Sequence, residues 1–202
     1  IKVEPEEFYY QCDKLGMVVF QDMVNNGDYS FFRDTALPTA GIQKLKDKNL
    51  HPDPETRQAF LAAMEATVRQ LRNHPCILYW TIFNEGWGQF DAEKVAAFTK
   101  ELDPTRLVNA ASGGNLVLSG DILDVHHYPC PAMNTFEAKF ANVIGEYGGI
   151  GYPIEGHLWK VDYKWGYGKV KENGSQVLEL YDEFARMLED FIKVGCAGAV
   201  YT

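Results

Sequence analysis

Two glutamates stand where a strand would hold them. Glu85 closes the apolar run ILYWTIFNE, and Glu146 closes NVIGE. A carboxylate directly behind a strand is fixed in direction by a rigid element. Two carboxyl groups held this way and turned toward each other suit the hydrolysis of a glycosidic bond. One protonates the departing oxygen, and the other attacks the anomeric carbon or activates a water molecule. Their mutual repulsion helps one keep its proton while the other stays charged. The plainer reading of each residue is a helix-start carboxylate or a salt-bridge partner. The pairing therefore rests on whether the surrounding elements bring the two residues together.

Those elements alternate. Strand-like apolar runs occur at Leu15–Phe20, Ile77–Phe83, Arg106–Ala110, Ile122–His127, Asn142–Gly145 and Ala197–Tyr201. Most are continuously apolar, as parallel strands covered on both faces are. Helical spacing marks Glu4–Leu15, Asp53–Leu71, Ala92–Leu102 and Gln176–Val194, with Thr135–Phe140 as a further turn or two of helix. Repeated βα units predict a parallel sheet, either doubly wound or closed into a (β/α)₈ barrel. A complete barrel takes about 250 residues, so six units fit strands three to eight of a barrel that lacks its first two. In a barrel the carboxyl ends of all strands open on one face. Glu85 and Glu146 would then meet across its mouth, along with Asp22 at the end of the first strand.

The 202 residues are 46% hydrophobic and 23% charged, which excludes a disordered tail or a disulfide knot. No apolar run approaches the roughly 18 residues of a membrane helix. Net charge is −9 with Lys and Arg scattered, so neither nucleic acid nor a membrane is an expected partner. Cys12, Cys76, Cys130 and Cys196 form no CxxC pair and read as buried thiols. Gln21–Pro52 and Gly148–Ser175 are long connections of the kind that carry function. The second holds Tyr152, Trp159, Tyr163, Trp165 and Tyr167, a stacking surface for a sugar or a local mini-core. The chain opens on IKVEPEEFYY and stops within the apolar run GCAGAVYT, which reads as a segment cut from a longer protein. Export or retention in the cytoplasm, and oligomeric state, are left open.

The local wording is more specific than the pattern. NHPCILYWTIFNEGWGQFD resembles the fourth-strand segment of glycoside hydrolase family 2, and VIGEYGG resembles its seventh-strand segment. LGMVVFQDM is similar to the family's third strand and DVHHYP to its sixth, so the resemblance covers the whole chain. It implies one incomplete (β/α)₈ catalytic barrel over residues 1–202, with the flanking β-sandwich domains outside it. It also implies Glu85 as general acid/base, Glu146 as nucleophile, Asn84 as donor to the sugar 2-hydroxyl and Tyr128 as donor to the nucleophile. For Asn84 a helix N-cap stays open, and for Tyr128 a core role.

Alternation along a strand puts His126 on the face of Tyr128 and turns His127 away. Trp159, within EGHLW, is the expected platform under the sugar ring, with His157 a weaker candidate. His74 reads as a structural turn. No organic cofactor is needed. No carboxylate–histidine cluster in the sequence repeats the magnesium or sodium arrangement of some members, so no metal is expected.

The reading is a retaining exo-β-glycosidase, β-galactosidase-like, acting on a carbohydrate, with the two carboxyl groups roughly 5 to 5.5 Å apart. An endo-acting cellulase or mannanase type and an inactive sugar-binding barrel are the alternatives.

Overall fold

In the computed structural model, which describes residues 2–25, 32, 53–161 and 164–202, the chain opens on helix α1 (Glu6–Leu15). Pro5 sets its entry, Glu6 and Glu7 favour its positive end, and Lys14 its negative end. The helix stops at Gly16, whose φ of +70° lets the Gly16 and Met17 N–H groups reach the Asp13 and Cys12 carbonyls. This stop corrects the first strand. Leu15, Met17 and Val18 are helix end and exposed connection, and β1 runs from Val19 to Asp22. The Gly16 cap and the connection after it take up the four residues Leu15–Val18, which apolar character alone does not show.

The described residues fall into two units, Ile1–Asp124 and Val125–Thr202. In the first, β1 pairs with β2 (Ile77–Asn84), and β2 with β3 (Leu107–Ser112). Ser112 of β3 pairs with Asp124 of β4 (Ile122–His127). All three pairings are parallel. Helix α2 (Pro54–Leu71) is started by Asp53, whose carboxylate accepts from the Thr56 N–H at 2.9 Å. It buries Met64, Val68 and Leu71, and α3 (Ala92–Leu102) buries Val95, Ala96, Thr99 and Leu102. Trp80, Ile82 and Phe83 share one buried cluster with Met64, Val68 and Val95 of these helices, each of the three with no exposed surface. Phe60 of α2 stacks on Phe83 at 5.1 Å. Every residue of β2 except Leu78 is buried, as its continuous apolar run predicts.

The second unit begins at Val125 within β4; β4, β5 (Ala141–Tyr147) and β6 (Cys196–Tyr201) follow in that order, and β5 and β6 are parallel. Helix α4 (Gly174–Lys193) is capped by Asn173, which accepts from Gln176 N–H at 3.0 Å. Phe184 of α4 is buried with Val125, Ile144, Tyr147 and Cys196. Thr135–Phe140 forms no helix, contrary to expectation. The Asn142 amide takes the Glu137 N–H on its oxygen and gives its amino group to the Glu137 and Phe140 carbonyls. Those backbone groups are therefore withdrawn from a helical ladder.

Helices alternating with parallel strands paired in chain order are the α/β arrangement of a (β/α)₈ barrel. Among the described residues no helix is long and apolar enough to cross a membrane. Apart from Gln21–Asn25 and Phe32, the first long connection lies outside the described residues, as does Tyr163.

Candidate active site

Glu85 sits one residue past β2 at φ +53°, in the left-handed region that a side chain enters at a cost of about 1–2 kcal/mol. Backbone strain of this kind clusters at functional sites, and the surrounding structure must over-determine it. Here it does. The Glu85 N–H donates to the Ser112 carbonyl at 2.9 Å, extending the β2–β3 ladder by one bond, and the Trp87 N–H closes a turn onto the Asn84 carbonyl at 3.1 Å. Asn84 is buried, and its Oδ1 accepts from the Ser112 hydroxyl at 2.8 Å. That bond engages the amide oxygen and leaves the amino group as the end able to donate. No helix starts at Asn84, since α3 begins at Ala92, so the N-cap alternative falls away.

In the second unit Glu146 lies within β5 rather than after it. Ile144 pairs with Ala199, and Tyr147 with Tyr201, so β5 carries one extra residue over that stretch. A bulge of this kind re-aims a side chain. The Glu146 side chain keeps 27% of its surface. Its Oε2 accepts from the Tyr128 phenol at 2.8 Å and, more weakly, from the Thr202 hydroxyl at 3.4 Å. His126 Nδ1 stands 3.9 Å from Oε1, with the imidazole 4% exposed. His127 turns elsewhere, its Nδ1 donating to the Cys130 carbonyl at 2.6 Å. The two histidines thus point as strand alternation predicts, although β4 ends at His127 and Tyr128 lies just beyond it.

Tyr128 is itself held. Tyr167 stacks on it with ring centroids 3.8 Å apart and planes 10° from parallel, and Trp165 meets Tyr167 edge-on at 4.6 Å. The loop bearing these rings lies against residues 149–151, with Tyr167 N–H donating to the Gly149 carbonyl and Lys171 N–H to the Gly151 carbonyl. Trp159 is fully exposed, and His157 is exposed beside it. The aromatic that joins the Glu146 cluster is therefore Tyr167. Its place in an aromatic-rich loop was readable, but its selection from five candidates was not. Ser112 and Thr202 also carried no sequence signal, because small hydroxyl residues acquire roles only through register.

Asp22 ends β1 opposite Thr81 and is half-buried. Burial, then the charges of Asp124 and Asp22, push the buried Tyr79 phenol above its ordinary value. His74 is structural. Its Nδ1 contacts Asp13 at 2.7 Å, and its carbonyl accepts from Arg106. All four cysteines are free, and burial, reinforced by Asp13, pushes the Cys76 thiol up to about 12. Among the described residues of either unit taken alone, no three His, Cys, Asp or Glu side chains converge closely enough to hold a metal ion.

Comparison with known proteins bears on this arrangement. Residues 4–149 match the sequence profile described as glycosyl hydrolases family 2, TIM barrel domain. The β-galactosidases of Yersinia pestis and Yersinia pseudotuberculosis are each 30% identical over 116 residues, which is 57% of this chain. The match spans only 10% of the length of those relatives. Among solved structures, a β-galacturonidase from Eisenbergiella tayi bound to galacturonate is similar at TM-score 0.60 and 18% identity, covering 99% of this chain and 35% of that one. A β-D-glucuronidase from Dictyoglomus thermophilum is similar at TM-score 0.59 and 14% identity, covering 99% and 36%. At those identities the likeness is one of fold. A profile match over most of the chain, on an alternating α/β fold, leaves a single assignment: the chain belongs to family 2 of the glycosyl hydrolases, through the family's TIM barrel domain.

Proposed function

We propose that this chain carries the catalytic carboxylates of a retaining exo-acting β-glycosidase whose substrates are β-galactosides. The observation that carries the reading is the Glu146 site. A partly exposed carboxylate, lifted by a strand bulge, receives a phenol hydrogen bond at 2.8 Å from a tyrosine clamped by a second ring. A donor on one oxygen fixes the direction of the carboxylate, which a nucleophile needs. Glu85 in its strained, over-determined setting suits the second role. The 30% identity to β-galactosidases favours galactose over other sugars. The small share of those relatives that is matched supports reading the chain as most of one barrel within a longer enzyme.

In the proposed cycle a Glu146 oxygen forms a bond to the anomeric carbon as the bond to the departing oxygen breaks. Glu85 gives that oxygen its proton. The Asn84 amino group donates to the sugar 2-hydroxyl, a bond that strengthens in the transition state. Glu85, now ionised, takes a proton from water as the water displaces Glu146 from the anomeric carbon, which restores both groups. The decisive experiment is to quench the complete enzyme during turnover of an activated aryl β-galactoside and locate the covalent sugar by peptide mass. An ester on Glu146, with product of retained anomeric configuration, is expected. Inverted product, or an ester on another residue, overturns the reading.

A further inference from the structure

We infer that Asn25 is a positioning residue for Glu85, an assignment that rests on reading Glu85 as the general acid/base. Asn25 lies three residues past β1, and the Met23 N–H ties that segment to the Thr81 carbonyl of β2 at 2.8 Å. From there its amino group spans the turn that holds Glu85. It donates to the Trp87 carbonyl at 2.5 Å and, at 3.4 Å, to the Asn84 carbonyl. These carbonyls belong to the residue before Glu85 and the second residue after it. One amide thus braces both sides of the residue held at φ +53°. The Ser112 carbonyl fixes the Glu85 N–H from β3, while Asn25 fixes the turn from β1.

The amide's other end argues that this is its purpose. Asn25 is only 5% exposed, yet its Oδ1 has no hydrogen-bond partner among the described residues. A buried amide oxygen left unpaired is costly. An apolar side chain would avoid that cost but could not hold two carbonyls. The amide is therefore placed for its donor end. A general acid works only within hydrogen-bond reach of the leaving oxygen. Displacement by about 1 Å costs on the order of a hundredfold in rate. Releasing the turn would let the Glu85 backbone relax out of the left-handed region and carry the carboxyl group with it.

The test uses the complete enzyme with aryl β-galactosides of graded leaving-group acidity. Asn25→Ala should lower kcat/KM about 10- to 100-fold for the poorest leaving groups and less than about threefold for the most activated, because only the former need the proton. Adding Asn25→Ala to Glu85→Gln should cost less than about twofold more, because a residue that acts through Glu85 has nothing left to position. Asn25→Asp keeps the shape and loses the donor, so it should repeat the pattern should the alanine variant fail to fold. Equal loss for all leaving groups, or full additivity with Glu85→Gln, overturns the assignment of Asn25 while leaving Glu85 as the acid. If Glu85→Gln itself shows no leaving-group dependence, the acid/base reading falls and this inference falls with it.

Discussion

Glu146 takes its direction from a bulge and its hydrogen bond from Tyr128, so the two substitutions have different consequences. Glu146→Gln keeps the shape of the site and removes the anionic oxygen proposed to attack. Turnover of every β-galactoside should disappear while binding of an unreactive analogue persists, as calorimetry would register. Loss of binding along with turnover would make Glu146 a ligand contact rather than a nucleophile. Tyr128→Phe removes one charge-assisted hydrogen bond and leaves the ring stacked on Tyr167. Such bonds contribute about 1.5–3 kcal/mol, so the glycosylation step should slow by about ten- to a hundredfold, measured as kcat/KM. At this scale the sequence revealed what lies next to a strand end. Asn84, Glu85 and Glu146 have strand neighbours that place them, and His126 and His127 differ by alternation alone. Asn25 and Tyr167 sit in long connections, where no periodicity ties residue number to position.

The same contrast governs the elements. Helix α2 and the strands β2 and β4 fall where periodicity and apolar runs put them, because capping residues and burial act locally. The first strand starts later than its apolar run and Thr135–Phe140 stays non-helical, because a helix stop at Gly16 and the Asn142 side chain compete for the backbone. Gly151 and Gly166 approach so closely that a Cβ on Gly166 would lie 2.5 Å from the Gly151 Cα and backbone N. Gly166→Ala should therefore push the 165–168 segment off residues 149–151 and unseat Tyr167 from Tyr128. The fall in kcat/KM should resemble that of Tyr128→Phe, with little change in melting temperature. An unchanged kcat/KM would show that the ring stack has no bearing on Glu146.

The junction of α3 and β3 is sensitive to acid through Asp103. Asp103, 3% exposed, accepts from Trp80 Nε1 at 3.0 Å and Arg106 at 2.9 Å, and from Thr105. Burial pulls its pKa upward, but these donors and the Arg106 charge outweigh it and hold the carboxyl below its ordinary value. The unfolded chain therefore takes up this proton first on acidification. The stabilisation is complete above the ordinary value of 3.8 and is lost as pH falls through that value toward the folded pKa. Asp103→Asn should cost about 3 kcal/mol at neutral pH by stranding the Arg106 charge. It should also flatten the fall of melting temperature below about pH 4. A variant with the same acid slope as the parent would remove Asp103 from the account.

For the molecule as a whole the open choice is the sugar, and charge offers a way to test it. The named sequence relatives are β-galactosidases, while the named fold neighbours act on uronates, whose carboxylate needs a cation beside it. These 202 residues carry net charge −9, and the field of this segment opposes an anionic substrate more than a neutral one. Several cations are already committed, Arg106 to Asp103, Lys100 to Asp121 and Arg186 to Asp182. Lys160, Lys164 and Lys169 are exposed on the long connection after β5, so they are the cations to neutralise in testing for a uronate. The galactoside reading requires that they stay in solvent. The complete enzyme should then cleave an aryl β-galactoside with kcat/KM at least about tenfold above the matching β-glucuronide and β-galacturonide. Galactoside rates should be almost insensitive to salt, and residual uronide cleavage should rise with ionic strength as repulsion is screened over a Debye length of about 10 Å at 0.1 M. A preference for the uronide, falling as salt is added and abolished by neutralising Lys160, Lys164 and Lys169 together, would reassign the substrate. It would leave the two-carboxylate chemistry intact, because the cation would select the sugar without taking part in bond breaking.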